Sequence, residues 1–206
     1  MKRGKRNGRQ NRFALNLLKL NKCRCIFRYI STSKNQYWIM KLERQTPRMA
    51  REIIEREMKE RTGTLSLYNC GLKEIPQEVF EMEWLEKLVI TNNYDILDSH
   101  LTPEKLMETL INSKDPNFLS EIPREIGRLQ NLKQLKIVGD EGEGRWAITT
   151  FDSISELSNL EELLLGRTKI TDVSGVGNLK KIRRLGLLDN LISDISWIKY
   201  LSTLEY

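Results

Sequence analysis

A repeat near the end of the chain is the feature that most constrains the fold. The stretch LEELLLGRTKITDV begins at Leu160, and IRRLGLLDNLISDI begins at Ile182, 22 residues later. Apolar residues superpose throughout, as in the pairs Leu163/Leu185 and Leu165/Leu187. A fixed period of about 20–50 residues is typical of solenoids, in which no unit buries its apolar face alone. The sequence therefore predicts a stack of similar units.

The same frame extends upstream. LSLYNC begins at Leu65, LVITNN begins at Leu88 and LKIVGD begins at Leu135, with spacings of 23 and 47 residues. From Leu135 to Leu163 the spacing is 28 residues. We expect about five units over residues 64–206.

The two long spacings predict two insertions. A helical insertion is expected over residues 94–116, where LTPEKLMETLIN begins a helix that Thr102 can cap. A loop insertion is expected at about residues 139–148, in DEGEGRWAITT. Long insertions in compact domains are often functional, so the first could shape a binding surface.

The pattern L-x-x-L-x-L-x-x-N/C-x-L resembles the leucine-rich repeat family from about Thr64 to Tyr206. ITDVSGVGNLKKIRRL and ISDISWIKYLSTL are similar to internalin-type bacterial repeats. The run-in MAREIIEREMKERTGTLSLYNCGLKEIPQEVF resembles that of bacterial repeat proteins with a Ras-like GTPase (Roco-like). The family implies an α/β fold: a curved leucine-rich repeat solenoid with short parallel strands on its concave face. It also implies an irregular or helical convex side, and we expect an N-terminal helix.

Polar residues recur where each unit turns after its strand. The side chain of Asn190 would point inward and bond backbone groups that a tight turn leaves unpaired. The resemblance implies a structural turn ladder rather than catalysis. Its predicted members are Cys70, Asn93, Asp140, Thr168 and Asn190.

The concave face follows from strand alternation, because residues next to the core leucines point outward. Its mixture of apolar and basic side chains suits a protein partner. An ordinary solvated sheet face is the alternative. The predicted partner-binding residues are Tyr68, Val89, Lys136, Val138, Leu164, Arg167, Arg184, Leu188 and Asp189.

The N-terminal part divides into a leader and a helix. Residues 1–39 hold eleven Lys or Arg and no acidic residue, which favours a disordered leader, a transit-like peptide or a nucleic-acid arm. Alternatively, Met40 is the true start. Residues 40–63 are expected to form a capping helix with Thr46 as N-cap and Gly63 at its end.

No catalytic constellation is apparent. His100 is the only histidine, and its neighbours Asp95 and Asp98 do not complete a metal or acid–base site. GDEGEGRW lacks the Lys-Ser/Thr ending of a phosphate loop. We therefore expect no enzyme activity, no metal, no cofactor and no small-molecule substrate.

Charge and cysteine content bound the remaining possibilities. Residues 40–206 carry 23 basic and 28 acidic side chains, which argues against a nucleic-acid groove. No apolar run is long enough for a membrane helix. Three cysteines, two of them Cys23 and Cys25 in the leader, make no disulfide framework, so a reducing, cytoplasmic location is expected.

The sequence thus predicts a non-enzymatic module that binds an unidentified protein through the concave face. The alternative is an N-terminal fragment of a larger signalling enzyme of the repeat–GTPase type. Tyr206 falls two residues after Leu204, inside the next expected unit, so the array is expected to be incomplete at its C-terminal end.

Overall fold

A computed structural model describes residues 46–97, 115–139, 142 and 144–205. The sequence predictions that lie outside the described residues concern the leader 1–39, the start of the capping segment at 40–45, most of the helical insertion with Thr102, and the residues Asp98, His100, Asp140 and Tyr206.

One α-helix precedes the repeats: α1 spans Arg48–Glu60 and buries Ala50 and Ile54. Thr46 does not cap it, contrary to the sequence prediction. Pro47 takes the N-cap position, and its carbonyl accepts the Arg51 N–H at 3.0 Å. The Pro47 carbonyl accepts this bond by itself, so the helix begins without the side-chain cap that was predicted from Thr46.

The helix ends at Arg61, which adopts a left-handed conformation with φ of 50°. The predicted terminator Gly63 follows two residues later with φ of 80°, at the entry to the first strand. Within the predicted segment 40–63, α1 thus occupies Arg48–Glu60, and residues 40–45 lie outside the described residues.

Glu57 ties this helix to the first repeat, although its carboxylate is only 4% exposed. One oxygen accepts the Gly63 N–H and the Trp84 Nε1–H, each at 2.9 Å. The other accepts the backbone N–H and the hydroxyl of Thr62. Arg61 lies 4.4 Å from the centroid of the Trp84 ring. A buried carboxylate with four donors is well satisfied, so it joins the helix to the turn before the second strand.

Five parallel strands occur in the described residues, and their order in the sheet equals their order in the chain. They are β1 (Thr64–Tyr68), β2 (Lys87–Thr91), β3 (Gln134–Val138), β4 (Glu162–Gly166) and β5 (Arg184–Gly186). The register aligns Leu65, Leu88, Leu135, Leu163 and Leu185. The predicted solenoid and its repeat frame are confirmed.

Inward strand residues form the core from one side. Those of the first four strands are all 0% exposed: Leu65, Leu67, Leu88, Ile90, Leu135, Ile137, Leu163 and Leu165. Short 3-10 turns close the convex side at Gln77–Glu81, Arg124–Arg128, Asp152–Glu156, Ser174–Asn178 and Ser196–Tyr200. Apolar side chains of these turns, such as Val79 and Ile126, are also fully buried. Each unit is thus a strand and a turn packed on one shared core.

Both insertions leave the sheet at the carboxyl ends of neighbouring strands, β2 and β3. After β2, the Asn117 N–H donates to Asn92 Oδ1 at 2.8 Å, and Asn92 Nδ2 donates to the Asn117 carbonyl at 2.9 Å. After β3, the Trp146 N–H donates to the Arg167 carbonyl at 2.8 Å. These bonds return the chain to the sheet edge, so the stacking of the units is not interrupted.

The last unit is less covered than the others. Leu185, Leu187 and Ile192 are half-buried, and Ile195 is 64% exposed. Within the described part of the chain, β5 pairs with β4 alone. Trp197 is nevertheless 7% exposed, and its Nε1–H donates to the Asp194 carbonyl at 2.8 Å.

We expect Leu165→Ala to lower the free energy of unfolding by about 2–5 kcal/mol, because it removes a fully buried side chain from the shared core. Urea denaturation followed by circular dichroism measures the loss. Leu188→Ala is the matched control, since Leu188 is 54% exposed and should lose no more than about 1 kcal/mol. Equal losses would contradict the assignment of the inner and outer sides of the strands.

Glu57→Gln should lower the free energy of unfolding by about 1–3 kcal/mol, because the amide nitrogen cannot accept the donors that the carboxylate satisfies. Glu55→Gln changes an exposed residue of the same helix and should have little effect. Thermal unfolding of both variants tests the comparison, and an unchanged Glu57→Gln protein would refute the link.

Candidate functional site

The concave face contains the outward residues of the strands and of the turns that follow. Of the nine predicted partner-binding residues, five are accessible to some extent: Lys136, Leu164, Arg184, Leu188 and Asp189. The other four are largely buried: Tyr68 and Arg167 are 8% exposed, and Val89 and Val138 are 1% exposed. These four are therefore not available as surface contacts, contrary to the simple alternation argument.

Glycines explain part of this burial. A Cβ placed on Gly166 would lie 3.0 Å from Val138 Cγ1 and 3.6 Å from Leu188 Cβ. One placed on Gly186 would lie 2.3 Å from Leu164 Cδ1. Side chains from neighbouring units thus lie over the glycines instead of pointing away from the sheet. Alternation predicts the side of a strand, but it does not predict such lateral packing.

Three charged residues meet on strands β3 to β5. Glu162 accepts from Lys136 Nζ at 2.9 Å and from Arg184 Nη2 at 2.7 Å. Partial burial would raise the pKa of the Glu162 carboxyl, but the hydrogen bonds from Lys136 and Arg184 outweigh it and lower the pKa below its usual 4.5. Glu162 therefore stays ionised and holds both cations on the face.

Asp189 lies at the edge of this group in a left-handed conformation, with φ of 52°. Its carboxylate pairs with Arg145, whose Nε also donates to the Asp189 carbonyl at 3.2 Å. Arg145 follows the second insertion, so this pair links the insertion to the last strand–turn unit.

The turn ladder is seen most clearly at Asn190. Its Oδ1 accepts the Thr168 N–H at 3.1 Å and the Thr168 hydroxyl at 2.6 Å. Its Nδ2 donates to the Leu165 carbonyl at 3.0 Å. Asn190 therefore satisfies backbone groups of the preceding unit, whereas the Thr168 hydroxyl accepts the Ile170 N–H of its own turn at 3.3 Å.

Asn117, rather than Asn93, makes the corresponding contacts after β2. Its Oδ1 accepts the N–H groups of Cys70 and Leu72 at 3.1 and 3.0 Å, and its Nδ2 donates to the Leu67 carbonyl at 2.9 Å. Asn93 instead accepts the Asp95 N–H at 2.9 Å at the start of the insertion. The insertion precedes the turn, so the ladder position moves to its far end.

After β3, Trp146 lies at the corresponding position, and the predicted Asp140 lies outside the described residues. Trp146 forms a parallel bridge with Thr168, and the next residue, Ala147, donates its N–H to the Leu119 carbonyl at 3.2 Å. Trp146 is 1% exposed, and its Nε1 has no hydrogen-bond partner. It therefore fills the turn with apolar surface instead of bonding to the backbone.

Cys70 occupies the first ladder position. Its Sγ donates to the Tyr68 carbonyl at 3.3 Å, and burial raises the pKa of the thiol to about 12. The thiol is therefore neutral and unreactive, as a structural position requires.

A second set of polar contacts, not predicted from the sequence, lies before the strands. Asn131 Nδ2 and Asn159 Nδ2 each donate to a carbonyl of the preceding unit at 2.7 Å, those of Glu83 and Gln130. Lys181 Nζ then donates to Asn159 Oδ1 at 2.6 Å. The sequence feature that could have predicted these contacts is an Asn-Leu pair, which begins three residues before β3 and again three residues before β4.

Asp95 is exposed in the turn Tyr94–Ile96, and its predicted neighbours His100 and Asp98 lie outside the described residues. No group of three or more His, Cys, Asp or Glu side chains that could hold a metal ion is found among the residues described. In the same part of the chain, no helix has the length and apolar character needed to cross a membrane.

The stacked parallel strands, the buried leucines in register and the asparagine turn contacts define a leucine-rich repeat protein. The chain therefore has the leucine-rich repeat fold that the resemblance in its sequence implies.

Comparisons with known proteins agree with this assignment. No protein-family model matches the chain. An uncharacterized leucine-rich repeat-containing protein of Schizosaccharomyces pombe is 30% identical over 127 residues, covering 62% of this chain and 16% of the relative. This chain thus spans about a sixth of that protein's length.

Solved structures with some similarity are also repeat proteins. A leucine-rich repeat protein of Leptospira interrogans is 27% identical, with a TM-score of 0.46, covering 73% of this chain and 38% of that one. Internalin C2 of Listeria monocytogenes is 24% identical, with a TM-score of 0.40, covering 69% and 58%.

We expect Asn117→Ala to lower the free energy of unfolding by about 3 kcal/mol, because several buried backbone groups lose their partner at about 1–3 kcal/mol each. Asn93→Ala is the matched control and should lose about 1 kcal/mol or less. Urea unfolding of the two variants measures the difference. A larger loss for Asn93→Ala would return the ladder position to the residue that the sequence indicated.

Proposed function

We propose that this protein is a non-enzymatic module that binds a protein partner through its concave face. The accessible group on strands β3 to β5 carries the proposal: Leu164 and Leu188 lie beside the Lys136–Glu162–Arg184 ion pairs. Apolar area flanked by arginine is the composition of protein interfaces. Concave solenoid surfaces commonly serve as extended binding faces.

The accessible residues narrow the surface to the C-terminal half of the sheet. Of the predicted contacts on the first two strands, Tyr68 and Val89 are buried and offer little area to a partner. Leu188 is 54% exposed, and the Arg184 side chain is 58% exposed. A partner would therefore contact strands β3 to β5 and the turn that follows β5.

This surface also suits binding because it is preorganised. Glu162 holds the two cations through ion pairs, and the glycines of β4 and β5 let Val138 and Leu164 pack closely. Side chains that are already fixed lose less conformational entropy when a partner binds. That the chain is an N-terminal fragment of a larger enzyme of the repeat–GTPase type is a separate hypothesis.

Photo-crosslinking tests the choice of face. Benzoylphenylalanine replaces Leu188 on the concave face in one variant and Arg128 on the convex turn in another. Each variant is expressed in the cells that naturally make the protein, and these cells are irradiated. We expect a covalent protein adduct from position 188 and none from position 128. Adducts from position 128 alone would refute the concave face.

Arg184→Glu should reduce that adduct at least about tenfold, because reversal places a like charge beside Glu162 and removes the exposed cation. The melting curve should change little, since Arg184 is exposed. Arg128→Glu makes the same change on the convex turn and should leave the adduct intact. Arg167 is unsuitable for this test, because a reversed charge at a position 8% exposed would disturb folding.

A further inference from the structure

The concave face differs in charge from the rest of the repeat region. Among its outward strand and turn positions, the accessible basic residues are Lys87, Lys136 and Arg184, and the accessible acidic ones are Glu162 and Asp189. Residues 40–206 as a whole hold more acidic than basic side chains, 28 against 23. The accessible face therefore carries a small excess of positive charge, although the region is acidic.

Part of this charge lies at the Lys136–Arg184 cluster, which we define as Lys136, Glu162, Leu164, Arg184 and Leu188. Its two cations share one carboxylate, so the cluster carries one net positive charge. Arg184 uses Nε and Nη2 for Glu162, at 3.1 and 2.7 Å, which leaves the donors of Nη1 for another acceptor. The Lys136 ammonium has three donors, of which Glu162 takes one.

Apolar area adjoins these donors. Leu164 lies over Gly186, and Leu188 is 54% exposed at the next outward position of the last unit. Lys136 and Arg184 lie on strands two apart and are offset by two residues in register, so about 12 Å separates their backbones, although both side chains bond to Glu162. The cluster thus combines cationic donors with aliphatic area on one face: Leu164 is aligned with Lys136 in the register, and Leu188 follows Arg184 by four residues.

We propose that the Lys136–Arg184 cluster binds an extended acidic segment of a protein partner. A carboxylate of the segment accepts from Arg184 Nη1 and the remaining donors of Lys136, and an aliphatic side chain two residues away packs on the apolar area that Leu164 and Leu188 provide. This inference rests on the proposed function, because it names the chemistry of the partner at the same face.

The observations favour a peptide over a nucleic acid. A phosphate backbone is recognised by many cations spread along a groove. The cluster has one net positive charge and an aliphatic contact, which suit a single carboxylate and a neighbouring apolar side chain. Charge complementarity of this kind selects the partner more than it adds affinity.

Fluorescence anisotropy with the full chain tests the proposal. The probe is the fluorescein-labelled peptide Gly-Glu-Ser-Leu-Ser-Glu-Ser-Leu-Gly, compared with versions in which glutamine or lysine replaces both glutamates or serine replaces both leucines. A labelled oligothymidylate of ten nucleotides serves as the nucleic-acid probe. We expect the acidic peptide to bind at least about tenfold more tightly than each of the others.

Variants place the binding at the cluster. Arg184→Glu should weaken binding of the acidic peptide at least about tenfold, Arg184→Lys should keep most of it, and Arg128→Glu on the convex turn should change nothing. The circular dichroism melt of each variant shows that it is folded.

Several outcomes would overturn the inference: equal binding of the acidic and glutamine peptides, preference for the lysine peptide or the oligothymidylate, or no saturation up to about 1 mM. If these occurred while crosslinks still formed from position 188, the concave face would stand and only the acidic partner would fail. Loss of the crosslinks as well would remove the proposed function itself.

Discussion

Each unit of this protein depends on satisfying the backbone where the chain turns sharply after a strand. Such a turn leaves N–H and C=O groups inside the protein, where an unpaired group costs about 1–3 kcal/mol. Asn117 and Asn190 solve this by bonding, through one amide, to backbone groups on the preceding unit. Because these bonds join neighbouring units, they also set the distance between the units, at which the leucine side chains pack into one core.

The turn contacts also explain how two insertions are tolerated. Both leave the sheet before the turn position and return at it, through Asn117 in one unit and Trp146 in the next. The strands and the convex turns therefore keep their register, and the concave face stays continuous across β3, β4 and β5. That continuity brings Lys136, Glu162 and Arg184, which are far apart in the chain, into one group.

Periodicity predicted the strands well, because a strand's inward leucines must coincide with those of its neighbours. It predicted the turn ladder less well, since a period reveals the length of an insertion but not on which side of the turn it lies. Asn93 was chosen for this reason, whereas Asn117 makes the contacts of that position. Alternation likewise placed Val89 and Val138 on the outward side of their strands, but it did not show that both are buried.

By itself, the sequence determined that the chain is a stack of leucine-rich units and which strand residues point inward, because both follow from local spacing. The tertiary structure alone decided which outward residues are accessible, and that Glu162 joins Lys136 to Arg184. It also placed Glu57 against Trp84, 27 residues away. These features depend on lateral contacts between units, where the size of a neighbouring side chain and the path of an insertion matter, and a one-dimensional period does not encode either.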